Sequence, residues 1–218
     1  MSRKAVLIGA SGLIGSHLLQ LLLNSDEYSE VLIFSRSSLS ISHPKFTQEI
    51  IDFNNIRQYS SLITGDVIFS CLGSTRNKTP NKNEYQKIDK NYPLAFAKIG
   101  LENGAKQFHI VTSLNADPES SSSYLKLKGE LENELKKLPY YSLQIYQPSY
   151  LEGLRKENRI DDRLMKPLMR LLNPLLVGQF KKYRSINASE VAQAMFNQSI
   201  KDLSGTYIYT SNKIKELV

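Results

Sequence analysis

The sequence predicts an α/β fold built on a doubly wound, parallel β-sheet. Over the first two thirds of the chain, short β-like runs alternate with helical patterns, an order that is typical of parallel sheets. Several of these runs are continuously apolar, as expected for strands that are covered on both faces. A glycine-rich turn also joins the first run to the first helical pattern.

Six strands and three helices are predicted in this part of the chain. The strands cover residues 4–8, 31–35, 46–51, 67–72, 108–112 and 142–146, and the helices cover residues 13–23, 85–102 and 124–138. In the second helix, apolar side chains recur at helical spacing at Ile88, Tyr92, Phe96 and Ile99, which predicts a buried stripe.

The pattern changes after Pro148. A short helix is predicted over residues 164–172, a longer one over residues 188–200, and a last strand over residues 206–210. Either Ser189 or Asn187 is expected to cap the longer helix. We expect one domain over residues 1–218, in which residues 151–187 form a small, partly helical insertion on the substrate side.

Composition excludes several classes of protein. The 218 residues include one cysteine, Cys71, so no intrachain disulfide forms, and a reducing, cytoplasmic location is expected. Polar residues interrupt the leucine-rich stretches, among them Gln20 and Arg170, so no membrane-spanning helix is predicted. The three histidines show no ligand spacing, and no metal site is expected.

Basic residues outnumber acidic ones, 28 to 21, which gives a net charge of +7 and favours anionic partners. Nine of the basic residues lie between positions 153 and 184: Arg155, Lys156, Arg159, Arg163, Lys166, Arg170, Lys181, Lys182 and Arg184. This basic segment is interpreted as a solvated face or as a surface that docks a protein partner. No nucleic-acid partner is expected, because no motif for one is visible.

The most informative segment is the turn after the first predicted strand, where glycines follow a G-x-x-G-x-x-G pattern. The first permits a tight turn, the second lets the backbone approach a pyrophosphate, and the third lets the helix pack closely. Unpaired N–H groups at the helix start would then face the phosphates. We therefore predict a dinucleotide site, with a purely structural turn as the alternative. The predicted contacts are Gly9, Ser11, Gly12, Leu13, Ile14 and Gly15.

The end of the second predicted strand distinguishes between two nicotinamide cofactors. An acidic residue at that place usually binds the ribose 2′-hydroxyl group, but this chain has Ser35, Arg36 and Ser37 there. The planar guanidinium of arginine suits a phosphate. Arg36, with Ser11 or Ser35 as a hydroxyl donor, therefore predicts NADP (NADPH) rather than NAD. An ordinary surface arginine is the alternative.

Two further strand ends are expected to line the nucleotide. Asp52 and Phe53 follow the third strand, where Asp52 would accept a hydrogen bond from the adenine amino group or, equally, cap the next helix. Cys71, Leu72 and Gly73 end the fourth strand. Gly73 would let the backbone pass close to the cofactor ribose, whereas the Cys71 thiol is expected in the core.

Tyr124 and Lys128 have a Tyr-x-x-x-Lys spacing, which places both on one helix face with Cβ atoms about 5–6 Å apart. A lysine ammonium favours the phenolate, and the ordinary tyrosine pKa of about 10 has to fall for proton transfer near neutral pH. Ser113 ends the fifth strand, where its hydroxyl could hold the same substrate oxygen. An amphipathic helix face is the alternative. Asn91 either orients Lys128 through water or lies on the surface.

Together these residues resemble the short-chain dehydrogenase/reductase superfamily. Residues 51–155 most closely resemble the Tat-interactive-protein-like branch of its atypical members. The segments that carry the resemblance are Asp52-Phe53, Cys71-Leu72-Gly73-Ser74-Thr75-Arg76, Asp89-Lys90, Lys106-Gln107-Phe108-His109, Ser113-Leu114-Asn115-Ala116-Asp117, Tyr124-Leu125-Lys126-Leu127-Lys128-Gly129-Glu130 and Gln147-Pro148.

The resemblance implies a Rossmann fold that binds NADPH. It also implies that Ser113 positions the substrate, that Tyr124 is the acid/base, and that Lys128 is a ribose ligand that lowers the tyrosine pKa. Pro148 and Ser149 would lie beside the nicotinamide amide.

Two hypotheses about function follow from these residues. The leading one is an NADP-dependent oxidoreductase for a small carbonyl or alcohol substrate, in which the glycine turn and Arg36 hold the nucleotide and Ser113, Tyr124 and Lys128 carry out the proton chemistry. The region after Leu151 is short, so the substrate pocket is expected to be small or open. The alternative is an NADPH-binding regulator that docks a protein partner without turnover, because a fold does not by itself decide function.

Overall fold

A parallel sheet of seven strands forms the centre of the computed structural model, which describes residues 2–75, 78–153, 169 and 172–218. The strands described are β1 (Arg3–Ile8), β2 (Tyr28–Ser35), β3 (Phe46–Ile50), β4 (Val67–Ser70), β5 (Gln107–Val111), β6 (Ser142–Gln147), β7 (Leu151–Glu152), β8 (Ile186–Asn187) and β9 (Gly205–Thr210). The large sheet has the order β3-β2-β1-β4-β5-β6-β9, and its neighbouring strands are all parallel. The predicted doubly wound fold is confirmed.

Helices cover both faces of this sheet. They are α1 (Leu13–Leu23), α2 (Lys82–Gln86), α3 (Tyr92–Glu102), α4 (Ser123–Lys136), α5 (Ala188–Ser199) and α6 (Ser211–Lys215). A π-helical turn, Lys87–Asn91, joins α2 to α3, and 3₁₀ segments cover Phe53–Leu62, Asn173–Leu175 and Gly178–Tyr183.

Two hydrophobic clusters explain why the strands are continuously apolar. On one face, α1 and α5 pack on the sheet through residues such as Leu18 and Val191. On the other, α3 and α4 contribute Phe96 and Leu131. Of the predicted stripe, Tyr92, Phe96 and Ile99 are buried on α3, whereas Ile88 lies in the π turn and is half-buried.

Several predicted boundaries need correction. Strand β4 ends at Ser70 rather than at residue 72. The Cys71 N–H still donates to the Ile8 carbonyl over 2.9 Å, and the backbone of Cys71 and Leu72 passes close to Gly9. The helix predicted from residue 85 begins at Lys82, where Asn81 accepts hydrogen bonds from two backbone N–H groups. The π turn at Lys87–Asn91 was not predicted.

The segment after β6 forms a two-stranded parallel ribbon, β7–β8, which was not predicted. Asn187 rather than Ser189 is the N-cap of α5, and its N–H donates to Glu190 Oε2 over 2.8 Å. The helix predicted over residues 164–172 and six of the nine cations of the basic segment lie almost wholly outside the described residues. Within the described ranges, no helix is long and apolar enough to cross a membrane.

A buried polar cluster lies on the α1/α5 face of the sheet. His109 on β5 is fully buried, with Nδ1 3.2 Å from the Tyr146 hydroxyl and Nε2 3.0 Å from Gln107 Oε1. Burial disfavours the imidazolium and lowers the pKa of His109 to about 3. The side chain is therefore neutral in the folded protein at neutral and mildly acidic pH.

His109 should make the protein less stable in acid. Below its ordinary pKa of about 6.5, the unfolded chain takes up a proton that the folded chain does not, so the free energy of unfolding falls as the pH falls towards 3. This single group should cost about 2 kcal/mol between pH 6.5 and 4.5. Urea unfolding of His109→Gln at both pH values should lack this loss. The exposed control His17→Gln should retain it, and equal pH dependence in all three proteins would disprove the effect.

Candidate cofactor and active site

Two of the three glycines of the predicted turn, Gly9 and Gly15, lie where a side chain would collide with backbone. Gly9 has φ +83°, and a Cβ atom there would lie 2.6 Å from the carbonyl carbon of Cys71. A Cβ atom at Gly15 would overlap the carbonyl oxygen of Gly9. The N–H of Gly12 donates to that same oxygen over 3.0 Å. The turn therefore has the tight geometry that the sequence predicts.

The start of α1 leaves backbone donors open for an anion. Gly12 is the N-cap, without a side-chain hydrogen bond to the helix start. The first intrahelical donor is the N–H of Ser16, which donates to the Gly12 oxygen over 2.9 Å. The N–H groups of Leu13, Ile14 and Gly15 precede it, so helix geometry provides them with no intrahelical acceptor. They suit a pyrophosphate.

The chain beyond β6 returns to this turn. Gly153, next to β7, packs so closely on Leu13 that a Cβ atom would lie 2.7 Å from Leu13 Cδ1. The ribbon β7–β8 thus begins beside the glycine turn, at the carboxyl edge of the large sheet.

At the end of β2, Arg36 is exposed, whereas Ser35 is held by hydrogen bonds. The hydroxyl of Ser35 donates to the Ser37 carbonyl over 2.8 Å and accepts from Gln48 Nε2 over 2.5 Å. Any hydrogen bond from Ser35 to a phosphate would have to replace its bond to Ser37.

The residues after β3 show a capping geometry. The Asp52 carboxylate accepts from Asn54 N–H over 2.9 Å and from Asn55 Nδ2 over 2.7 Å, and the Asn54 N–H is the main cause of its lowered pKa. The capping interpretation of Asp52 is confirmed. The ring of Phe53 is buried, with its centroid 5.4 Å from that of Tyr92.

The loop after β4 runs between the two hydrophobic clusters. Cys71 packs against the first cluster and Leu72 against the second. Cys71 is half-buried, and burial raises the pKa of its thiol to about 12. The space beside Gly73 is open, since a Cβ atom there would meet only Asp89 Oδ1, at 3.7 Å.

The proposed catalytic residues lie on α4 and in the loop that joins β5 to it. Ser113 lies two residues after the end of β5 and is half-buried, and Tyr124 is half-buried in the first turn of α4. Lys128 lies one turn further and is buried. A helix that follows a parallel strand begins at the carboxyl edge of the sheet, so this edge collects all three. Gly129 lets the loop between them pack directly on α4 at Asp117.

Asp89 is the functional candidate that motif reasoning missed. It lies in the π turn, is 1% exposed, and has Oδ1 2.8 Å from Lys128 Nζ. Asn91 is exposed, as its surface interpretation expected. A signal was present in the sequence, since Asp89 falls three and seven residues before Tyr92 and Phe96 and therefore on the buried stripe of the helix.

Glu132 is a second buried carboxylate that the sequence did not reveal. It accepts from Thr112 Oγ1 over 2.6 Å and from Gln147 Nε2 over 2.9 Å. These bonds join α4 to the ends of β5 and β6. Nearby, the Pro148 carbonyl accepts from the Leu114 N–H over 3.0 Å, so the segments after both strands are held together.

The segment after β6 is also held by hydrogen bonds. Ser149 N–H donates to Ser211 Oγ over 2.8 Å, and Ser149 Oγ donates to the carbonyl of Arg184. A surface groove of about 490 Å³ lies elsewhere, between α1 and α5, and none of the predicted site residues lines it. In the part of the chain that is described, no cluster of three or more His, Cys, Asp or Glu side chains is arranged to hold a metal ion.

Comparison with known proteins shows the family of this chain. The HIM1 family model matches residues 23–183. The chain belongs to the HIM1 family. Rat Protein HTATIP2 is 30% identical over 98% of this chain and 88% of its own length. The mitochondrial protein fmp52 of Aspergillus niger is 28% identical over 95% of this chain and 92% of its own length. The resemblance to the Tat-interactive-protein-like branch is confirmed.

A solved structure supports the fold. The Bordetella bronchiseptica enzyme WbmH, in complex with NAD⁺, superposes with a TM-score of 0.72 at 15% identity. The match covers 99% of this chain and 79% of that chain. At this identity, the likeness concerns the Rossmann fold alone.

The expected cytoplasmic location is wrong. Fungal relatives, among them the Aspergillus niger protein, are named mitochondrial. The expectation rested on a single cysteine, which excludes an intrachain disulfide but does not distinguish one reducing compartment from another.

Gly15→Ala should disrupt the turn. The new Cβ atom would overlap the Gly9 carbonyl oxygen, so the free energy of unfolding should fall by about 3 kcal/mol or more. Gly73→Ala is the matched control, because its Cβ atom makes only an ordinary contact, and its effect should stay within about 0.5 kcal/mol. Urea denaturation measures both, and equal stability of the two variants would contradict the packing argument.

Proposed function

We propose that the protein is an NADP-dependent oxidoreductase that transfers hydride to or from a small carbonyl or alcohol substrate. The observation that carries this proposal is that the open N-terminus of α1 and the buried Lys128 lie at the same edge of the sheet. The N-terminus of α1 suits phosphate through its backbone N–H groups, and Lys128 places an ammonium one turn beyond Tyr124. Together they suit the two ends of a nicotinamide dinucleotide.

The residues at the glycine turn fit such a cofactor. The N–H groups of Leu13, Ile14 and Gly15 are positioned for the pyrophosphate, and no side chain at Gly12 blocks its approach. The complex of WbmH with NAD⁺ supports this choice of ligand. Pro148 and Ser149 remain candidates for the nicotinamide end, since the Leu114 bond holds Pro148 beside the Ser113 loop.

A bound nicotinamide supplies or accepts the hydride, and the protein handles the proton. Tyr124 donates its phenolic proton to the carbonyl oxygen during reduction, and Ser113 donates a hydrogen bond that holds this oxygen in place. Lys128 forms an ion pair with Asp89 over 2.8 Å. In the proposed complex its ammonium donates hydrogen bonds to the ribose hydroxyls, one helical turn beyond Tyr124.

Arg36 supports NADP as the form of the cofactor. Its exposed guanidinium follows β2, at the position where an acidic residue would bind the ribose of NAD. A 2′-phosphate there would gain a charge-assisted, bidentate contact. Cys71, Leu72 and Gly73 complete the proposed surface for the adenosine side.

A second candidate function is an NADPH-binding regulator that docks a protein partner without turnover. One observation favours it: Leu175, Val177 and Phe180 are 72%, 59% and 53% exposed, and Lys181 follows them in the chain. Exposed apolar side chains of this size suit an interaction surface. Both functions share the cofactor site and differ in whether Tyr124 transfers a proton.

Arg36→Ala should weaken NADPH binding about tenfold or more, because it removes a charge-assisted contact. NADH lacks the 2′-phosphate, so its affinity should change little. Calorimetric titration with both cofactors measures the ratio. Arg57→Ala removes another exposed arginine and should alter neither affinity. Equal NADPH and NADH affinities in the unmodified protein would remove Arg36 from the site.

Tyr124→Phe should retain NADPH affinity and lose turnover. The variant keeps the ring and removes the proton donor, which typically contributes about 10²–10⁴-fold to the rate. A screen of small aldehydes and ketones, followed by NADPH absorbance, identifies a substrate on which to compare the two proteins. Full activity of Tyr124→Phe on such a substrate would refute the proton-transfer mechanism. NADPH binding without turnover on any carbonyl would favour the regulator.

A further inference from the structure

Asp89 is a buried carboxylate whose position depends on an irregular turn. It lies within the π turn Lys87–Asn91 and is 1% exposed. A π turn inserts an extra residue into a helix and is frequent at functional sites. Here the turn joins α2 to α3 and carries the carboxylate to the face that packs against α4.

The two carboxylate oxygens of Asp89 connect different parts of the site. Oδ1 lies 2.8 Å from Lys128 Nζ on α4. Oδ2 accepts a hydrogen bond from the Ser74 N–H over 2.8 Å. Ser74 lies in the loop after β4, next to Gly73, where a Cβ atom would lie 3.7 Å from Asp89 Oδ1. One side chain therefore joins the proposed ribose ligand to the loop after β4.

Comparison with a neighbouring ion pair shows how deeply the pair of Asp89 and Lys128 is buried. Lys90 and Glu130 connect the same two elements over 2.5 Å, with side chains 18% and 34% exposed. The side chains of Lys128 and Asp89 are only 4% and 1% exposed. A buried pair loses the hydration of both charges, so it is weak evidence of a role in stability. Its geometry is better explained by the need to hold the ammonium in one place.

We propose that Asp89 is a positioning residue of the cofactor site, which holds the Lys128 ammonium towards the ribose and Tyr124. It acts through Lys128 and does not itself touch the cofactor. This inference rests on the proposed function, since it requires that Lys128 bind a nicotinamide nucleotide.

A double-mutant cycle on NADPH affinity tests the inference. The four proteins are the unmodified chain, Asp89→Asn, Lys128→Met and the double variant. Asparagine keeps the shape of Asp89 and an oxygen for the Ser74 N–H, so Asp89→Asn removes mainly the charge that holds the ammonium. We expect it to weaken NADPH binding about tenfold in the unmodified background and to have no further effect once Lys128 is methionine.

The same set of proteins includes controls for an effect of the substitutions on stability. Lys128→Met leaves the Asp89 carboxylate buried without its cation, and we expect this variant to be the least stable of the four. The double variant removes both charges and should recover stability, so it remains foldable. Glu130→Gln makes the matching change in the more exposed pair and should leave NADPH affinity unchanged.

The outcomes separate the inference from the proposed function. NADPH fluorescence titrations, which extend to weak binding, should show the loss on Asp89→Asn only when Lys128 is present. An equal loss in both backgrounds would make Asp89 a structural residue of the Ser74 loop, and unchanged affinity would deny it any role. Either result overturns the inference alone. Failure of the unmodified protein to bind NADPH would overturn the proposed function, and the inference with it.

Discussion

The close approach of the Gly9 backbone to the backbone of Cys71 is the contact on which the rest of the site depends. It brings β1, the start of α1 and the end of β4 together at one point, with no room for a Cβ atom at Gly9 or Gly15. Because α1 is held so close to the turn, its free N–H groups face the carboxyl edge of the sheet. The loop after β4 then passes the same edge, where it meets Asp89 through Ser74.

The spacing of apolar residues along the sequence predicted helix α1 and most strands of the large sheet. Helix α1 has the predicted bounds, and the strands agree within a few residues, because apolar runs covered on both faces are easily distinguished from loops. The π turn and the ribbon β7–β8 could not be predicted, since neither has a periodic signature. Strand β4 was predicted too long because Cys71 and Leu72 are apolar, although the regular strand ends at Ser70 and these two residues form the loop that passes Gly9.

The candidate site was predictable where spacing alone defines it, as for the glycine turn and for Tyr124 and Lys128. It was not predictable where partners are distant in the chain, because the ion pair of Asp89 with Lys128 and the hydrogen bonds of Glu132 with Thr112 and Gln147 join separate elements. The roles of single polar residues in loops were the hardest to predict. The structure shows that Ser35 and Asp52 bond first to their own loops, a local option that Ser and Asp readily take.

The pairing of charges inside the site has a consequence for ionic strength. In the proposed cofactor complex, Lys128 is compensated by Asp89, so the attraction for a pyrophosphate would come mainly from backbone dipoles at α1 rather than from net charge, even though the chain carries +7. Dipoles that contact their ligand directly are little screened by salt, whereas an exposed cation such as Arg36 is screened strongly. In that complex, added salt would therefore reduce the proposed discrimination between NADPH and NADH more than it reduces their binding.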